Sequence, residues 1–477
     1  MANETPNRFP LAVTPDNRDA TTLKDAKLVN GYLEKYAEGY RVIKRPGLVE
    51  VPSLAVPAGT GNGMFSWATD IYQIVGTTLY INGLTPTALG VDYPRFYWFT
   101  STHGADPMLV FGNGIYYYSY SHFGGLAALA GGAAPGGLGS YSGLPGLAYL
   151  DGTTYYAAAA VYGGTSIYGS GINDVTTWSV ANQIQAIIES DGVQLLAKQL
   201  VYVLAYKQWT TEVFYDAGNP AGSPLGNVQG ALMTCGCASA RSFRDIDGVH
   251  YLLSSTREGA LQVIAVEGLK PRVISDARIE ALLVGADTVN VYSWSHKGNG
   301  HCFYVLTLVS ANLTLVYDIK ERSWSQWTDA NGNYLPIVTS TYSYPLKSVS
   351  ESANYLQHES NGKVYTLSDT AYTDAGSVIT VDLYTPNFDA GIDRRKALNA
   401  MRFNADQTQG SILQVRCNDY DYDAAKWTNF RQVDLGKQRP YLSGCGTFYR
   451  RALHIRHQCN TPLRLTSVDL QLDVGTL

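Results

Sequence analysis

Three alternating aspartates, Asp419, Asp421 and Asp423, are the residues of this sequence whose spacing most suggests chemistry. On an extended strand they would share one face, and clustered carboxylate oxygens bind Ca²⁺. An EF-hand loop starting at Asp419 would need glycine at its sixth position and a carboxylate at its twelfth, where Ala424 and Phe430 stand. The run therefore leaves two interpretations open, a weak metal site and a solvated turn.

Histidines are the next candidates for a base or a metal ligand. His301 begins a predicted strand, and we interpret it as a hydrogen-bonded structural residue. His454 and His457 lie three apart on another predicted strand, hence on opposite faces, so that strand alone cannot bring them to one metal. The Gly-x-Ser-x-Gly, P-loop and His-Glu-x-x-His motifs are missing from the sequence. The absence of these motifs favours a non-enzymatic protein. The alternative that stays open is an enzyme whose active site is assembled from residues distant in the sequence.

The six cysteines do not form a recognisable metal motif. They are Cys235, Cys237, Cys302, Cys417, Cys445 and Cys459. The first two are separated by a single residue, and no second close pair accompanies them, which argues against a zinc knuckle. The last three lie in one predicted domain, so one disulfide is conceivable there, but reduced thiols in a reducing cytoplasm are the simpler interpretation.

Three small basic clusters stand out against a net charge of −5 and a charged fraction of only 16%. They are Lys44-Arg45, Arg394-Arg395-Lys396 and Arg450-Arg451. They could contact DNA or an acidic partner, or they could be ordinary solvated loop charges. A sequence-reading nucleic-acid protein would need a broader basic face. The charge does not exclude a neutral or acidic wall past which DNA slides.

The elements that must position these residues are best seen in the segment 298–327. Cys302–Leu308 predicts a strand buried on both faces, Leu313–Tyr317 predicts a second, and a charged turn leads to a third that begins at Trp324 and Trp327. Such a meander is typical of a propeller blade, and the alternative is a hairpin of an ordinary β-sandwich.

Weaker versions of this pattern recur along the chain. They occupy residues 71–82, 108–118, 149–158, 246–255 and 363–368, with glycine-containing turns such as Asp151-Gly152. Turn signals spaced about 40–50 residues apart indicate four-stranded blades. The sequence therefore predicts a mainly β protein with a β-propeller of about six blades.

Composition agrees with a mainly β protein of more than one domain. The chain has 477 residues, with 35 Tyr to cover pleated, half-buried surfaces and 47 Gly to form turns. The best helical pattern is the short stretch Asn182–Ile188. We expect no signal peptide, because residues 1–10 are polar, and no membrane span, because no apolar run reaches about 18 residues.

Changes in composition predict three regions. Residues 1–58 form a proline-punctuated arm that must dock on other parts of the protein, and we expect it to dock on the platform formed by the carboxy-terminal residues. Residues 59–380 form the propeller, with a Gly/Ala-rich insertion at 124–146. Residues 381–477 contain strands that alternate on a period of two and predict that additional platform, a β-sandwich-like domain.

A set of motifs in a fixed order resembles one protein family. The motifs are Asn30-Gly-Tyr32-Leu-Glu34, Lys44-Arg45-Pro46-Gly47, Val201–Tyr215 with Trp209, Val273–Leu282, His301–Tyr304 followed by Tyr317-Asp318 and Trp324, and finally Asn418–Trp427, Arg431–Gly436 and Gly446–Arg451. In order and overall length they resemble the packaged-DNA stabilisation proteins of short-tailed bacteriophages. The chain departs from that pattern before Trp427, where Asp423-Ala-Ala-Lys426 replaces an Asp-Gly-Gly turn.

The resemblance implies a structural tail hub, or nozzle, without a cofactor. Six copies would form a ring below the portal and its adaptor, in contact with spikes, fibres or a needle, and double-stranded DNA would pass through the channel. The protein would be assembled in the host cytoplasm and reside in the virion tail. The alternative function is a carbohydrate-binding or glycan-cleaving propeller of the tail, and a third class is a cellular scaffold propeller.

Particular residues carry these expectations. The expected structural residues of the blades and platform are Trp209, His301, Tyr304, Tyr317, Asp318, Trp324, Trp327 and Trp427. The expected interface residues are Asn30, Tyr32, Glu34, Lys44, Arg45, Pro46, Arg394 and Arg395. We expect the DNA-facing wall to be neutral or acidic, and a loop marked by Gly124, Gly131 and Gly137 to narrow the channel.

Overall fold

The computed structural model of the chain describes residues 7–11, 26–89, 95–103, 106–129, 145–158, 164–343 and 353–474. Its amino-terminal strands are β1 (Asn7–Arg8), β2 (Lys27–Val29), β3 (Gly31–Tyr36), β4 (Gly39–Lys44) and β5 (Gly47–Glu50), followed by a 3₁₀ turn at Pro52–Leu54. Two further 3₁₀ turns lie at Ala240–Ser242 and Ala424–Lys426, and one α-helix, α1, spans Ala277–Leu283.

Antiparallel four-stranded meanders follow one another along the chain. Blade 1 is β6–β9 (Gly61–Trp67, Asp70–Val75, Thr78–Ile81, Leu84–Ala88) and blade 2 is β10–β13 (Trp98–Ser101, Leu109–Gly112, Tyr117–Ser121, Gly125–Ala128). Blade 3 is β14–β17 (Ala148–Leu150, Thr153–Ala158, Ser166–Gly171, Asp174–Gln185) and blade 4 is β18–β21 (Val193–Gln199, Tyr202–Lys207, Thr211–Asp216, Leu225–Asn227). Blade 5 is β22–β25 (Arg244–Ile246, Val249–Ser255, Leu261–Glu267, Lys270–Val273) and blade 6 is β26–β29 (Val291–Gly298, His301–Leu308, Leu313–Asp318, Ser323–Gln326).

The seventh blade is closed by a strand from the opposite end of the chain. Its own strands are β30 (Ile337–Ser343), β31 (Ala353–His358) and β32 (Val364–Ser368), and its outer strand is β5. The β5–β32 register pairs Glu50 with Tyr365 and Gly47 with Ser368. The first strand of blade 7 contacts the first strands of blades 6 and 1, which closes the ring.

The described residues therefore form a β-propeller with seven blades, and the expected count of about six is wrong. The error has a physical origin, because the last repeat supplies only three strands itself and takes the fourth from a segment assigned to the arm. The meander at 298–327 is present as predicted, as β27, β28 and β29.

One end of the propeller carries the turns that join strands one to two and three to four of each blade, and we call it the hairpin face. Contacts between neighbouring blades align these turns. Trp67 of blade 1 stacks on His122 of blade 2, and Tyr149 Oη of blade 3 donates to the His103 carbonyl of blade 2. Asp151 of blade 3 and Val201 of blade 4 line one cavity, Gln199 Nε2 of blade 4 donates to the Gly248 carbonyl of blade 5, and Lys297 of blade 6 pairs with Asp247 of blade 5. Several of these turns need two consecutive residues with positive φ, as at Asp151-Gly152 (44° and 89°). That requirement explains the Asx-Gly signals in the sequence.

The carboxy-terminal residues form two packed sheets, which we call the C-terminal sandwich. Their strands are β33 (Thr373–Asp374), β34 (Ser377–Val378), β35 (Val381–Tyr384), β36 (Lys396–Ala405), β37 (Ile412–Asn418), β38 (Arg431–Asp434), β39 (Tyr441–Ser443), β40 (Thr447–Phe448), β41 (Ala452–His457) and β42 (Arg464–Val474), of which β33 and β34 are a separate hairpin. One sheet has the order β3-β4-β42-β36-β39, and the other has β2-β35-β41-β37-β38. A single apolar core lies between them, including Leu33, Phe403, Leu413 and Ile455.

The amino-terminal segment does not dock as one piece. Its strands β1, β3 and β4 join the sandwich through β42, whereas β5 belongs to blade 7. Between them, β2 pairs in parallel with β29 of blade 6 and antiparallel with β35 of the sandwich. The two domains therefore share a continuous nine-stranded sheet, and the expectation of an arm docked wholly on the platform is corrected.

The short helical pattern at 182–188 does not form a helix, because Asn182–Gln185 continues β17. The only α-helix among the described residues lies instead in the Val273–Leu282 motif. Asp276 caps it by accepting a hydrogen bond from Ile279 N at 2.8 Å.

Trp324 tests the packing between blades 5 and 6. It is buried, its Nε1 donates to the Ile274 carbonyl at 2.8 Å, and its ring contacts Tyr317. We expect Trp324→Ala to lower the free energy of unfolding by about 3–5 kcal/mol, as for other emptied aromatic sites. Urea denaturation measures this, with Phe123→Ala as a control because Phe123 is exposed. Equal stability of the two variants would contradict the packing described.

Candidate functional site

The candidate site is the joint between the propeller and the C-terminal sandwich, and Asn30 organises its first half. Asn30 is buried and has a φ of 56°, a conformation that asparagine tolerates. Its Oδ1 accepts from Thr328 N at 2.8 Å and from Arg45 Nε at 2.9 Å. Its Nδ2 donates to Thr328 Oγ1 and to the Thr380 carbonyl at 2.8 and 2.9 Å. One side chain thus binds segments from three distant parts of the chain.

Arg45 forms the second half of the joint. Its side chain is fully buried, and Nη1 and Nη2 donate to the two carboxylate oxygens of Asp374 at 2.9 and 2.5 Å. The remaining donors reach the carbonyls of Pro46 and Thr328, while the guanidinium lies over the Trp327 ring at 5.6 Å. A buried charge requires such complete pairing, because desolvation would otherwise outweigh the attraction. We refer to Asn30, Arg45, Trp327, Thr328 and Asp374 as the joint.

A cleft of about 270 Å³ lies beside the joint, between blades 6 and 7 and the sandwich. Lys44 Nζ donates to the Cys459 carbonyl at 2.7 Å, and burial lowers the pKa of Lys44 to about 8. Burial also raises the pKa of Asp369, which lines the same cleft. The wall of the cleft thus contains an amine and a carboxylate, and burial disfavours the charged form of both groups.

His301 stands next to this cleft in a structural setting. Its Nδ1 lies 2.5 Å from Asp318 Oδ2, its ring packs edge-on against Tyr32, and Glu34 Oε1 is 4.0 Å from Nε2. Asp318 also accepts backbone N–H groups of the following turn. The His301–Asp318 pair therefore fixes the hairpin of blade 6 against the amino-terminal segment, in line with the structural interpretation of His301.

Most of the expected interface residues lie inside the chain. Asn30, Tyr32, Lys44, Arg45 and Pro46 are buried, and Glu34 pairs with Arg41 at 2.6 Å. These side chains are used for contacts within the chain, and their expected contact with another subunit stays a prediction. Arg394 and Arg395 are exposed, and Arg395 donates to Thr447 Oγ1.

The three aspartates considered for metal binding do not share a face. Asp421 and Tyr422 have φ values of 52° and 61°, so the run is a turn rather than a strand. Asp419 forms a bidentate pair with Arg451 at 2.7 and 2.8 Å, Asp421 accepts from Asn387 and Arg450, and Asp423 caps the 3₁₀ turn that follows. The expected geometry of one strand face is wrong, and each carboxylate has a separate partner.

The remaining expected structural residues lie in several places. Tyr304 Oη donates to the Ser242 carbonyl between blades 5 and 6, and Tyr317 packs beside Trp324. Trp327 is buried in the joint, and Trp209 is half-buried in a turn of blade 4. Trp427 lies against Arg416 in the sandwich. All six cysteines are free thiols. Of the channel-loop residues, Gly124 follows β12 in a hairpin turn, whereas Gly131 and Gly137 fall outside the described residues.

Sequence reasoning missed one buried ionic cluster in blade 4. Lys207 is fully buried and lies 3.3 Å from Asp191 and 3.0 Å from Glu212. Its Nζ also donates to the Glu189 carbonyl. No local pattern marks these residues as partners, because Asp191 lies in the connection before blade 4, Lys207 ends β19 and Glu212 lies in β20. The cluster holds that connection against the two strands, and all three side chains are fully buried.

Comparison with known families decides the relationship of the chain. The profile of a family described as the bacteriophage P22 Gp10 β-propeller, a phage stabilisation family, matches residues 11–335. The chain belongs to this family. The match extends over blades 1–6 and most of the amino-terminal segment, and it ends before strands β30–β32 of blade 7 and strands β33–β42. Family membership makes the protein a β-propeller protein of a bacteriophage and a structural component of the virion.

Other comparisons add little to the family assignment. No curated protein matches the chain. Solved structures with a similar fold include a chain of the S. cerevisiae complex of Dbp5 with Nup159, Gle1, IP6 and ADP (7% identity, TM-score 0.38, 72% of this chain and 98% of that one). Others are the extracellular domain of a B. thetaiotaomicron hybrid two-component system (8%, 0.40, 68% and 39%) and virginiamycin B lyase from Staphylococcus aureus (8%, 0.38, 67% and 98%). Such scores carry no information on the function of this family member.

The described residues of this family member also contain no helix with the length and apolar character needed to cross a membrane.

The joint yields a stability prediction. Arg45→Lys keeps the charge but cannot reproduce the bidentate contact with Asp374 together with the bond to Asn30. We expect a loss of about 3–5 kcal/mol in the free energy of unfolding, because buried partners are left unpaired. Arg41→Lys is the matched control, since its pair with Glu34 is partly exposed and should be worth about 1 kcal/mol or less. Calorimetry of the two variants measures the difference. Similar stabilities of Arg45→Lys and Arg41→Lys would show that apolar packing, and not Arg45, holds the joint together.

Three buried histidines give the fold a pH dependence. Burial lowers the pKa of His250 and His296 to about 4 and that of His457 to about 3, below the ordinary value near 6.5. The unfolded chain therefore binds more protons than the folded one below pH 6.5. The stabilising contribution is complete above pH 6.5 and is lost as the pH falls towards 4.

We expect His457→Gln to flatten this decline by up to about 1.4 kcal/mol per pH unit. Gln can retain contact with Ser411, which His457 Nε2 approaches at 3.0 Å. Chemical denaturation between pH 7 and 4.5 measures the slope, and His103→Gln at an exposed position is the control. Parallel curves for His457→Gln and the unsubstituted protein would contradict the assignment.

Proposed function

We propose that this protein is the tail hub, or nozzle, of a short-tailed phage. In this role six copies form a ring below the portal and adaptor, retain the packaged DNA and provide its exit channel. The family match over residues 11–335 carries the proposal. The joint supports it mechanically, because a shared sheet and a buried Arg45–Asp374 pair make the propeller and the sandwich resist relative movement. A conduit under the pressure of packaged DNA needs that rigidity.

The charge of the chain suits a channel that DNA leaves quickly. Residues 59–380 contain 14 Lys and Arg against 23 Asp and Glu, a net charge of −9. A strongly basic wall would hold many phosphates and make ejection slow and dependent on salt. We therefore propose a neutral or acidic DNA-facing wall.

A non-enzymatic role follows from the same proposal. The ionisable clusters described above are engaged in holding turns and domains together, as for Lys207 with Glu212 and Arg45 with Asp374. Of the candidates for metal binding, Asp419 and Asp421 form separate salt bridges, and Asp423 caps a 3₁₀ turn. The propeller and the sandwich thus act through shape, rigidity and surface charge.

Particles made without the chain test this function. We expect heads to package DNA at the normal rate and then lose it, so that the fraction of full heads falls at least about tenfold and is restored by adding purified protein. Electron microscopy should place the protein in a six-fold ring under the portal. Normal retention of DNA in particles without the chain, or a location away from the portal axis, would contradict the proposal. A glycan-binding role would instead leave retention intact and abolish adsorption.

A further inference from the structure

A cavity of about 320 Å³, which we call the axial cavity, lies at the centre of the propeller. Its walls come chiefly from the first strands of blades 1, 2, 5, 6 and 7 and from the segments that lead into blades 2 and 5. Phe96 precedes blade 2 and Arg241 precedes blade 5, and the Arg241 guanidinium lies 4.8 Å from the centroid of the Phe96 ring. Because blades 2 and 5 are not neighbours, this contact closes the cavity across the propeller axis.

Aromatic rings form much of the wall of the axial cavity. Phe65 and Phe99 stack with their ring centroids 5.6 Å apart, and Phe96 packs edge-on against Trp98 at 5.1 Å. Phe243 also lines the cavity. Phe65, Phe96 and Trp98 are only half-buried by the rest of the chain. Walls of this kind around a volume of this size suit a small molecule with a planar ring.

Two arginines line the axial cavity without an acidic partner. The Arg241 guanidinium packs against Phe96 and, at 4.5 Å, against Tyr292, but its Nε is buried with no hydrogen-bond partner in the described part of the chain. Nε and Nη2 of Arg244 donate to the Ser293 carbonyl. Among the described residues neither guanidinium forms a salt bridge. Contacts with aromatic rings attract a cation but leave its N–H donors unpaired.

Burial disfavours the charges of these two arginines. It lowers the pKa of Arg241 and brings the pKa of Arg244 down to about 10. Tyr292 and Glu359 raise the pKa of Arg241 without cancelling the effect of burial. Both oxygens of Glu359 already accept from hydroxyl groups, from Tyr292 at 2.6 Å and from Tyr334 at 2.8 Å. Buried guanidinium groups in this state are stabilised by an anion that enters the cavity.

The rest of the described lining also favours an anion. The hydroxyl oxygens of residues 339–341 each accept from an N–H group, and each hydroxyl still has its own proton to donate. The acidic residue of this lining is Asp245, which accepts from Gly248 N at 2.9 Å, and burial raises its pKa. The charged lining therefore contains two guanidinium groups and one carboxylate whose ionisation burial disfavours.

We propose that the axial cavity binds an aromatic carboxylate. Its ring would pack among Phe65, Phe96 and Trp98, and its two oxygens would accept from Arg241 and from the hydroxyls of residues 339–341. A guanidinium presents parallel N–H donors that match the two oxygens of a carboxylate. An uncharged ring would leave the guanidinium groups without a counter-ion, and an inorganic anion would leave the aromatic wall in water. The site lies within one copy of the chain and does not depend on the proposed ring of six.

Calorimetric titration of the purified chain tests the affinity of the cavity. Indole-3-acetate is the probe, and indole and acetate are its controls, because one lacks the carboxylate and the other lacks the ring. We expect saturable binding of one indole-3-acetate per chain, at least about tenfold tighter than the binding of either control. Indole that binds as tightly as indole-3-acetate, or no saturable binding of indole-3-acetate at about 1 mM, would overturn the proposal.

A pair of arginine variants tests the role of the guanidinium. Arg241→Gln removes the charge that lacks a partner, and we expect it to weaken the binding of indole-3-acetate at least about tenfold. Arg257→Gln is the matched control, because Arg257 lies in a turn of blade 5 with its side chain 67% exposed. Equal affinities of the two folded variants would overturn the proposal.

Photolabelling of the unsubstituted protein locates the ligand even if Arg241→Gln does not fold. The reagent is 4-azidobenzoate, an aromatic carboxylate that reacts with its surroundings on irradiation. We expect it to label peptides that contain residues 95–99, 240–245 or 337–343, and an excess of indole-3-acetate should block this labelling. Labelling confined to other peptides, or labelling that excess indole-3-acetate does not reduce, would overturn the proposed site and leave the hub function standing.

Discussion

The enclosed charge of Arg45 is the constraint on which the rest of the structure depends. Its guanidinium has no access to water and must be neutralised by Asp374 and by acceptors from Asn30, Pro46 and Thr328. Those acceptors lie on separate segments, so each segment can occupy only the position that satisfies the same cation. Removing one partner of such a pair leaves a buried charge, which costs far more than an exposed pair contributes. The pairing of Arg45 therefore determines where these segments lie as well as how stable the folded chain is.

Two features of the architecture follow from that position. With Arg45 held, Pro46 directs the chain into β5, and β5 completes blade 7. On the other side, β2 is held between β29 and β35, so the outer edge of blade 6 is paired rather than free. Unpaired sheet edges invite aggregation, and here the amino-terminal segment covers the edges of two neighbouring blades. The propeller and the sandwich thus form a single unit through strands of the amino-terminal segment.

Local patterns predicted local structure well in this protein. The meander at 298–327 and the Asx-Gly turns were visible because strand alternation and positive φ leave signatures within a few residues. The blade count was missed because β5 and β32 are remote in sequence, and the turn at Asp421 was missed because its φ breaks the alternation. The role of Arg45 was missed because charged dipeptides are usually solvated, and its partner Asp374 lies 329 residues away. Such pairings are decided by topology, which a single sequence does not display.

The distance between Arg45 and Asp374 along the chain has a consequence during synthesis. At about 5–20 residues per second, a ribosome needs roughly 20–60 s to add the intervening residues. During that interval blades can form in order from the amino-terminal side, but the ring stays open and Arg45 stays hydrated. A nascent chain that stops before residue 364 can neither close blade 7 nor bury the cation, and one that stops before residue 374 still lacks the carboxylate that pairs with Arg45. Truncated products therefore lack the contact that joins the propeller to the C-terminal sandwich.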